Sequence, residues 1–406
     1  MAIFATTAFV WVVAAIYILI HVPTSLPRST WYGLLNVAAL VILFGWRAAV
    51  LALVFAGVYW IALRMLERVV SQDRELIAQR LSIALYASVA VIFICHKLVL
   101  ERANDFEAWL PFHLLSSVSN SQPFLSGFKI LQLVAFSYVC LRLVDAIRAV
   151  SSGARVLSPV GLLGYLVPFF MTPSGPVNEY DEHVAMDKLV VPEPTASHFV
   201  DSVFLIVLGY FLKFACAQSY GIFVRGLNGA WPVATLWDSI VFLLYVLIEF
   251  TGYSMIALGV GRLLHVPTPV NFNHPYMATS FADFWTRWHM SLGSFVRRTM
   301  YFPIRMSLSR AVKPKRGDKL KIHAINTAAL LVPFAFVGVW HRFTWPFVLW
   351  GLAVGVVVAI ETIMRDEFFS KRKSLLPTWV VRPLVSIYSV FLVAFTLQVA
   401  LTDFAK

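Results

Sequence analysis

Two stretches of this 406-residue chain hold groups able to move protons. The first, "FADFWTRWHMSLGSFVRRTMYFPIR" over residues 281–305, sets a Trp-His pair, Trp288 and His289, among arginines. The second, "FAFVGVWHRFTWPFVLWGLAVG" over 334–355, presents His341 after about eighteen largely apolar residues. Imidazole titrates near neutral pH and can act there as a general base. An ionisable residue inside an apolar segment is costly, so it is read first as functional. On spacing alone, His341 reads equally as a histidine at a loop tip in water.

The other histidines are weaker candidates. His21, His96, His113 and His265 fall near the ends of apolar runs, and His183, His198 and His323 fall in polar connections. No HExxH or two-His-plus-carboxylate spacing points to a metal, and no GxSxG marks a nucleophile elbow. "LGVGRLL" at 258–264 lacks the third glycine of a dinucleotide fingerprint. Acids within apolar runs are Asp145, Asp201, Asp238, Glu249 and Glu361. Glu249 is the most deeply placed; it would suit a proton-coupled carrier, or a carboxylate bonded to a neighbouring helix.

The elements that must position these groups follow from composition. The chain is 59% hydrophobic and only 13% charged, with a mean hydropathy of +0.76. A soluble domain carries about 25% charged residues. Runs long enough to cross a bilayer as helices, about 20 residues each, predict an all-α polytopic membrane bundle. About eleven hydrophobic elements are expected, some of them re-entrant or broken rather than full crossings, near 4–22, 32–46, 48–66, 77–99, 124–147, 156–172, 199–220, 233–262, 324–341, 345–364 and 382–402. The first reads as a retained span rather than a signal peptide. With no internal repeat, residues 1–406 read as one membrane domain. Cys95, Cys140 and Cys216 have no paired spacing and read as buried small hydrophobes.

The net charge of +12 reads as positive-inside bias; no nucleic-acid motif accompanies it. From Arg297 to Lys321 nine Lys/Arg face one acid, Asp318, the strongest cytoplasmic signal in the chain. "RDEFFSKRKS" at 365–374 is a second, so the segment between them should be a hairpin with His341 near its turn. Between Ser280, at capping-box spacing from Asp283, and Pro303, a helix would line Phe281, Phe284, Trp285, Trp288, Leu292, Phe295 and Phe302 along one stripe. Asp283, Arg287, Arg297 and Arg298 would lie opposite. That is the pattern of a helix in the membrane interface, with His289 at the edge of the stripe.

Taken together, these blocks resemble the membrane-bound O-acyltransferase family, in particular its bacterial branch. The likeness rests on "PFFMTPSGPVNEYDEH" at 168–183, on the block 245–305, and on "VGVWHRFTWPFVLWGLAVG" at 337–355, over roughly residues 160–365. Departures are Arg342 where relatives carry glycine, Glu249 for the usual Asp, Thr251 for Ser, and "YFPIRMSLSR" for a glycine-ended turn.

The resemblance implies a multi-pass protein of the bacterial cytoplasmic membrane with a central tunnel. It implies that His341 is catalytic and His289 the second polar position, with Asn273, Tyr253, Arg287, Trp288 and Trp340 lining the site. It implies transfer of acetyl or D-alanyl from a thioester donor, an acyl-carrier protein or CoA on the cytoplasmic side. The acceptor would be a hydroxyl of an extracytoplasmic polysaccharide or partner protein. No bound cofactor or metal is expected, and no partner besides these and membrane lipid. The compact basic linker is closer to the branch that D-alanylates teichoic acids. Two other readings are a flippase that carries an acylated intermediate without chemistry and a non-catalytic assembly subunit.

Overall fold

The computed structural model describes residues 4, 6–101, 136–172, 175–188, 195–225, 236–315, 317–369, 388–389, 391–393 and 396. His113, Arg316, the first part of the expected element at 124–147 and most of that at 382–402 lie outside them. Every regular element among the described residues is a helix. Six helices there are long and apolar enough to cross a membrane: Trp46–Ser71, Glu75–Lys97, Ala196–Val224, Trp237–Leu263, Lys319–His341 and Trp345–Glu367. Two shorter apolar helices, α1 (Thr7–Ile20) and α2 (Arg28–Phe44), precede them. Outward side chains such as Ile61, Val91, Phe204 and Val207 are exposed and apolar, as a lipid-facing surface requires. This is a polytopic all-α membrane protein.

The chain divides into two compact units, Met1–Val207 with Met255–Pro269, and Leu208–Ser254 with Val270–Lys406. In the first, α2 is followed by α3 (Trp46–Ser71), α4 (Glu75–Glu101), α5 (Phe136–Ser151), α6 (Pro159–Leu166) and α7 (Tyr180–Ala185). The expected element at 156–172 is shorter than its hydropathy suggests. Helix α6 has only eight residues, and the chain then turns through Pro168. Its carbonyls and amides are taken by buried side chains instead of further helical turns. Arg142 is fully buried and donates to Leu166 O (2.9 Å), Pro176 O (2.9 Å) and Asn178 Oδ1 (2.8 Å). Asn36 donates to Val167 O and accepts from Phe169 N. Asp145, also fully buried, accepts from Tyr180 N (2.9 Å) and Arg148 Nε (2.9 Å). The apolar run is thus core of the protein, and not a crossing.

The second unit carries residues 281–305 and 334–355. Helix α8 (Ala196–Tyr210) passes through a π-helical turn, Phe211–Ala217, into α9 (Gln218–Arg225), and α10 (Leu236–Leu263) follows. The unit boundary falls inside α8 and α10. Next come α11 (Phe281–Arg287), α12 (Met290–Val296), α13 (Phe302–Val312), α14 (Lys319–His341) and α15 (Trp345–Met364).

Helices α14 and α15 form the expected hairpin, joined by three residues. Gly338 and Gly351 make the close approach possible. A Cβ on Gly338 would sit 2.1 Å from Phe347 O, and one on Gly351 would sit 2.2 Å from Phe334 O. Lys319 and His323, at the start of α14, both reach Glu367, just past α15, so the two basic ends lie together.

Cys140 is buried, Cys216 is half-buried and Cys95 is exposed; all three are free. The exposed thiol corrects the expectation that each would be buried, because Cys95 occupies an outward position of α4.

Candidate active site

The stretch 281–302 is not the single straight helix that its periodicity predicts. It breaks at the Trp-His pair. Trp288 is extended (φ −94°, ψ 130°) and ends α11, while His289 is left-handed (φ 44°, ψ 53°) and opens α12. Each end of the break is held. Ser280 accepts from Asp283 N at the start of α11, as capping-box spacing requires. The N-terminal amides of Phe281 and Ala282 donate to the Glu361 carboxylate of α15 at 3.0 and 2.6 Å, where a negative charge suits the helix dipole. Beyond the break, Met290 N donates to Asn271 O (2.8 Å) and Gly293 N to His289 O (3.0 Å). Pro303 does not end the helix as expected. It is the second residue of α13, which continues directly from the π-helical turn Arg297–Tyr301.

The aromatic stripe faces protein rather than lipid, which corrects the interfacial reading. Phe281 and Phe284 of α11 are buried in a cluster with Phe347, Trp350, Val354 and Val358 of α15 and Leu243 of α10. Phe302 alone of the stripe is well exposed. The polar side behaves as expected at one point: Arg287 Nε pairs with Asp283 at 3.0 Å on the outer face of α11. Hydrogen bonds from Arg287 and Thr279 outweigh partial burial and hold the Asp283 carboxyl below its usual range.

Behind the stripe lies a cavity of about 530 Å³. Its walls follow helical spacing on two elements: Leu330, Pro333, Phe334, Val337 and His341 on α14, and Phe347, Trp350, Gly351, Val354 and Val358 on α15. Over residues 330–341 the rise of the helix gives a length of about 16 Å. Trp285, Trp288, His289, Arg297 and Tyr301 close the opposite wall, with α10 contributing Phe242, Leu243 and Val246.

His289 and His341 therefore line one space, with the Trp340 ring between them at centroid distances of 6.2 and 4.8 Å. Their environments differ. His289 is 5% exposed and packs edge-on against Phe250 at 4.8 Å. Burial pushes its imidazole well below the ordinary range, to about 3, and the neighbouring His341 adds to the shift. His341 ends α14, is exposed, and stands 5.7 Å from the Trp350 ring.

Of the other sequence candidates, Trp288 lines the cavity; Tyr253, Asn273, Arg287 and Trp340 do not. Asn273 is exposed and bonded through its amide to Arg287 O (3.0 Å). The asparagine two places earlier does the buried work. Asn271 donates to Ser254 Oγ at 3.0 Å, accepts from Ser291 Oγ at 2.5 Å, and fixes the first amide of α12. Only the alternation of an extended segment separates the two asparagines in sequence, and that carries no direction. Trp350 is 7% exposed and lines the cavity, whereas Trp345 is 76% exposed, as in an interface belt. Glu249 is bound by Lys213, which the π-helical turn carries toward it; both side chains are largely buried. Among the described residues no group of three His, Cys, Asp or Glu could hold a metal ion.

Residues 201–399 match the model of the MBOAT, membrane-bound O-acyltransferase family, and every residue lining the cavity falls inside that match. That stretch of the chain belongs to this family.

Bacterial proteins are among its relatives. The chain is 25% identical over 266 residues to the teichoic acid D-alanyltransferase of Streptococcus thermophilus, covering 63% of this chain and 62% of that one. It is 25% identical over 270 residues to the enzyme of that name from Bacillus subtilis, covering 64% and 66%. A shorter match, 29% identical over 163 residues, is to the peptidoglycan O-acetyltransferase of Helicobacter pylori, covering 39% of this chain and 29% of that protein. The chain thus spans less than two thirds of the length of these relatives.

Proposed function

We propose that this membrane-bound O-acyltransferase moves a short acyl group from a thioester to a hydroxyl of the bacterial cell envelope, with His341 as general base. The observation that carries this reading is the pair of histidines on one apolar cavity within the family region. A thioester is already activated, but a hydroxyl must lose its proton as it attacks. A positioned imidazole provides that, worth about 10²–10⁴ in rate. The base must also pass the proton on, which favours the exposed histidine, His341. His289, buried and neutral, suits a fixed hydrogen-bond donor toward the developing oxyanion. Trp340 holds the two rings apart; Trp288 bounds the site beside His289.

Orientation follows from charge. With the basic ends of the α14–α15 hairpin in the cytoplasm, His341 lies about 33 Å along α14 from Lys319. That is close to the thickness of the hydrocarbon core, about 30 Å. The base then sits near the outer face, where an envelope polysaccharide or partner protein offers its hydroxyl. Arg297 and the basic segment after it would receive the phosphates of a carrier-protein arm or of CoA from the cytoplasm. The flippase reading loses its main support, since Glu249 is held by Lys213.

The test is label transfer in membranes holding the wild type, His341→Ala or His289→Ala at matched expression. Radiolabelled acetyl-CoA is supplied in one arm and D-alanyl carrier protein in the other. Label should reach the envelope fraction in wild type and be lost with His341→Ala. Transfer untouched by His341→Ala would remove the general-base assignment.

A further inference from the structure

The cavity is apolar to a degree that constrains its acyl group. Among the described residues that line it, Arg297 alone is fully charged, and no carboxylate is present. None of the described acids of the second unit lines the cavity, Asp366 included, and most are bound elsewhere. Glu249 is held by Lys213. Asp283 pairs with Arg287 and also accepts from the Thr279 amide. Glu361 takes the first amides of α11. Asp318 pairs with Lys321, and Glu367 with Lys319 and His323. Asp238, on α10, is not a lining residue.

Aromatic faces are the other means of holding a cation, and here several of the rings pack against one another. Trp285 packs edge to face with Phe281, Phe284, Phe334 and Trp350. Trp288 is stacked on Phe284 at 5.5 Å and met by the edge of Phe272. Trp350 is met by His341 and Phe347.

We infer that the acyl group this chain transfers is uncharged, acetyl or a slightly larger aliphatic acyl, and that the cavity discriminates against an α-ammonium. A cation entering would leave water for a wall that offers no counter-ion and already carries a guanidinium. A desolvated charge without a partner is disfavoured by several powers of ten. The inference rests on the acyltransferase reading and deepens it. It also departs from the D-alanyl expectation that the compact basic linker suggested. In the reaction the acyl C–S bond breaks and a C–O bond forms. The hydroxyl proton passes to His341, and the thiolate leaves to be protonated as free thiol.

An isosteric pair of donors isolates the charge. Isobutyryl and D-alanyl groups have the same shape, with a methyl in one where the other has an ammonium. Acetyl-, isobutyryl- and D-alanyl-pantetheine, radiolabelled in the acyl group, are offered to membranes with the full chain at pH 6.5. That is below the ordinary α-amino pKa of about 8, so the alanyl group is charged. Label in the envelope fraction is read against His341→Ala membranes. The expected result is a kcat/KM for isobutyryl and acetyl at least about 100-fold above that for D-alanyl. D-alanyl transfer equal to or faster than isobutyryl would overturn the inference while leaving the acyltransferase standing. Turnover of none of the three would remove the acyltransferase reading and the inference with it.

Discussion

The polar cluster around Arg142 in the first unit and the two histidines of the second meet different surroundings. In the first, Arg142, Asp145 and Asn36 are fully or nearly fully enclosed, and each meets named partners around the turn from Leu166 to Tyr180. In the second, His289 and His341 face a space large enough for another molecule. Burying charge in a membrane bundle is costly. What separates a structural network from a reactive site is the void next to it. The Arg142 network fixes a loop, while the histidines leave room.

Substitutions can break that contrast. The largest effect is expected at His341→Ala: transfer should fall by about 10²–10⁴ while the melting temperature in detergent stays put. The reverse is expected at Arg142→Met. Losing three hydrogen bonds from a buried guanidinium should destabilise the fold by about 3 kcal/mol or more, seen as lower yield and melting temperature. Turnover per folded molecule should be unchanged; a specific loss of turnover would mean that the first unit reaches the chemistry. Gly351→Ala sharpens the comparison, because one residue there serves packing and the cavity together. Its Cβ would press on Phe334 O at about 1–3 kcal/mol, so stability and turnover should fall in step.

The smallest effect is a pH slope from His183. This ring is fully buried between Tyr32 and Tyr165. Burial lowers its pKa from 6.5 to about 4; Asp187 partly opposes the shift and Arg142 adds to it. The folded pKa lies below the unfolded one, so as pH falls the unfolded chain takes up the proton first. Stability is therefore full above about 6.5 and declines toward 4. Thermal melts between pH 6 and 5 should lose about 1 kcal/mol, and His183→Phe should flatten part of that slope.

Hydropathy made the long helices legible, and charge made the α14–α15 hairpin legible, since both depend on gross composition. The run at 156–172 is legible as apolar but not as core, because an apolar stretch looks the same inside a protein as inside a bilayer. His289 and His341 stood out by being polar in apolar surroundings. The break at Trp288 did not, because the stripe keeps its period across the kink. Asn271 and Trp350 were missed for a related reason. Their roles depend on which side of a segment meets the cavity, and 3.6-residue spacing in a wholly apolar helix does not name a side.

The left-handed backbone at His289 has a consequence for variation. Few residue types with a side chain adopt such a φ at low cost; glycine, asparagine, aspartate and histidine do so most readily. The bend and the imidazole are thus demanded of one codon. Glycine would keep the path of the chain and lose the ring, whereas a β-branched residue would lose both. In a saturation library scored separately for expression and for turnover, position 289 should tolerate a short alphabet in the first screen and a still shorter one in the second. Position 341, at an ordinary helix end, should be permissive in the first and strict in the second.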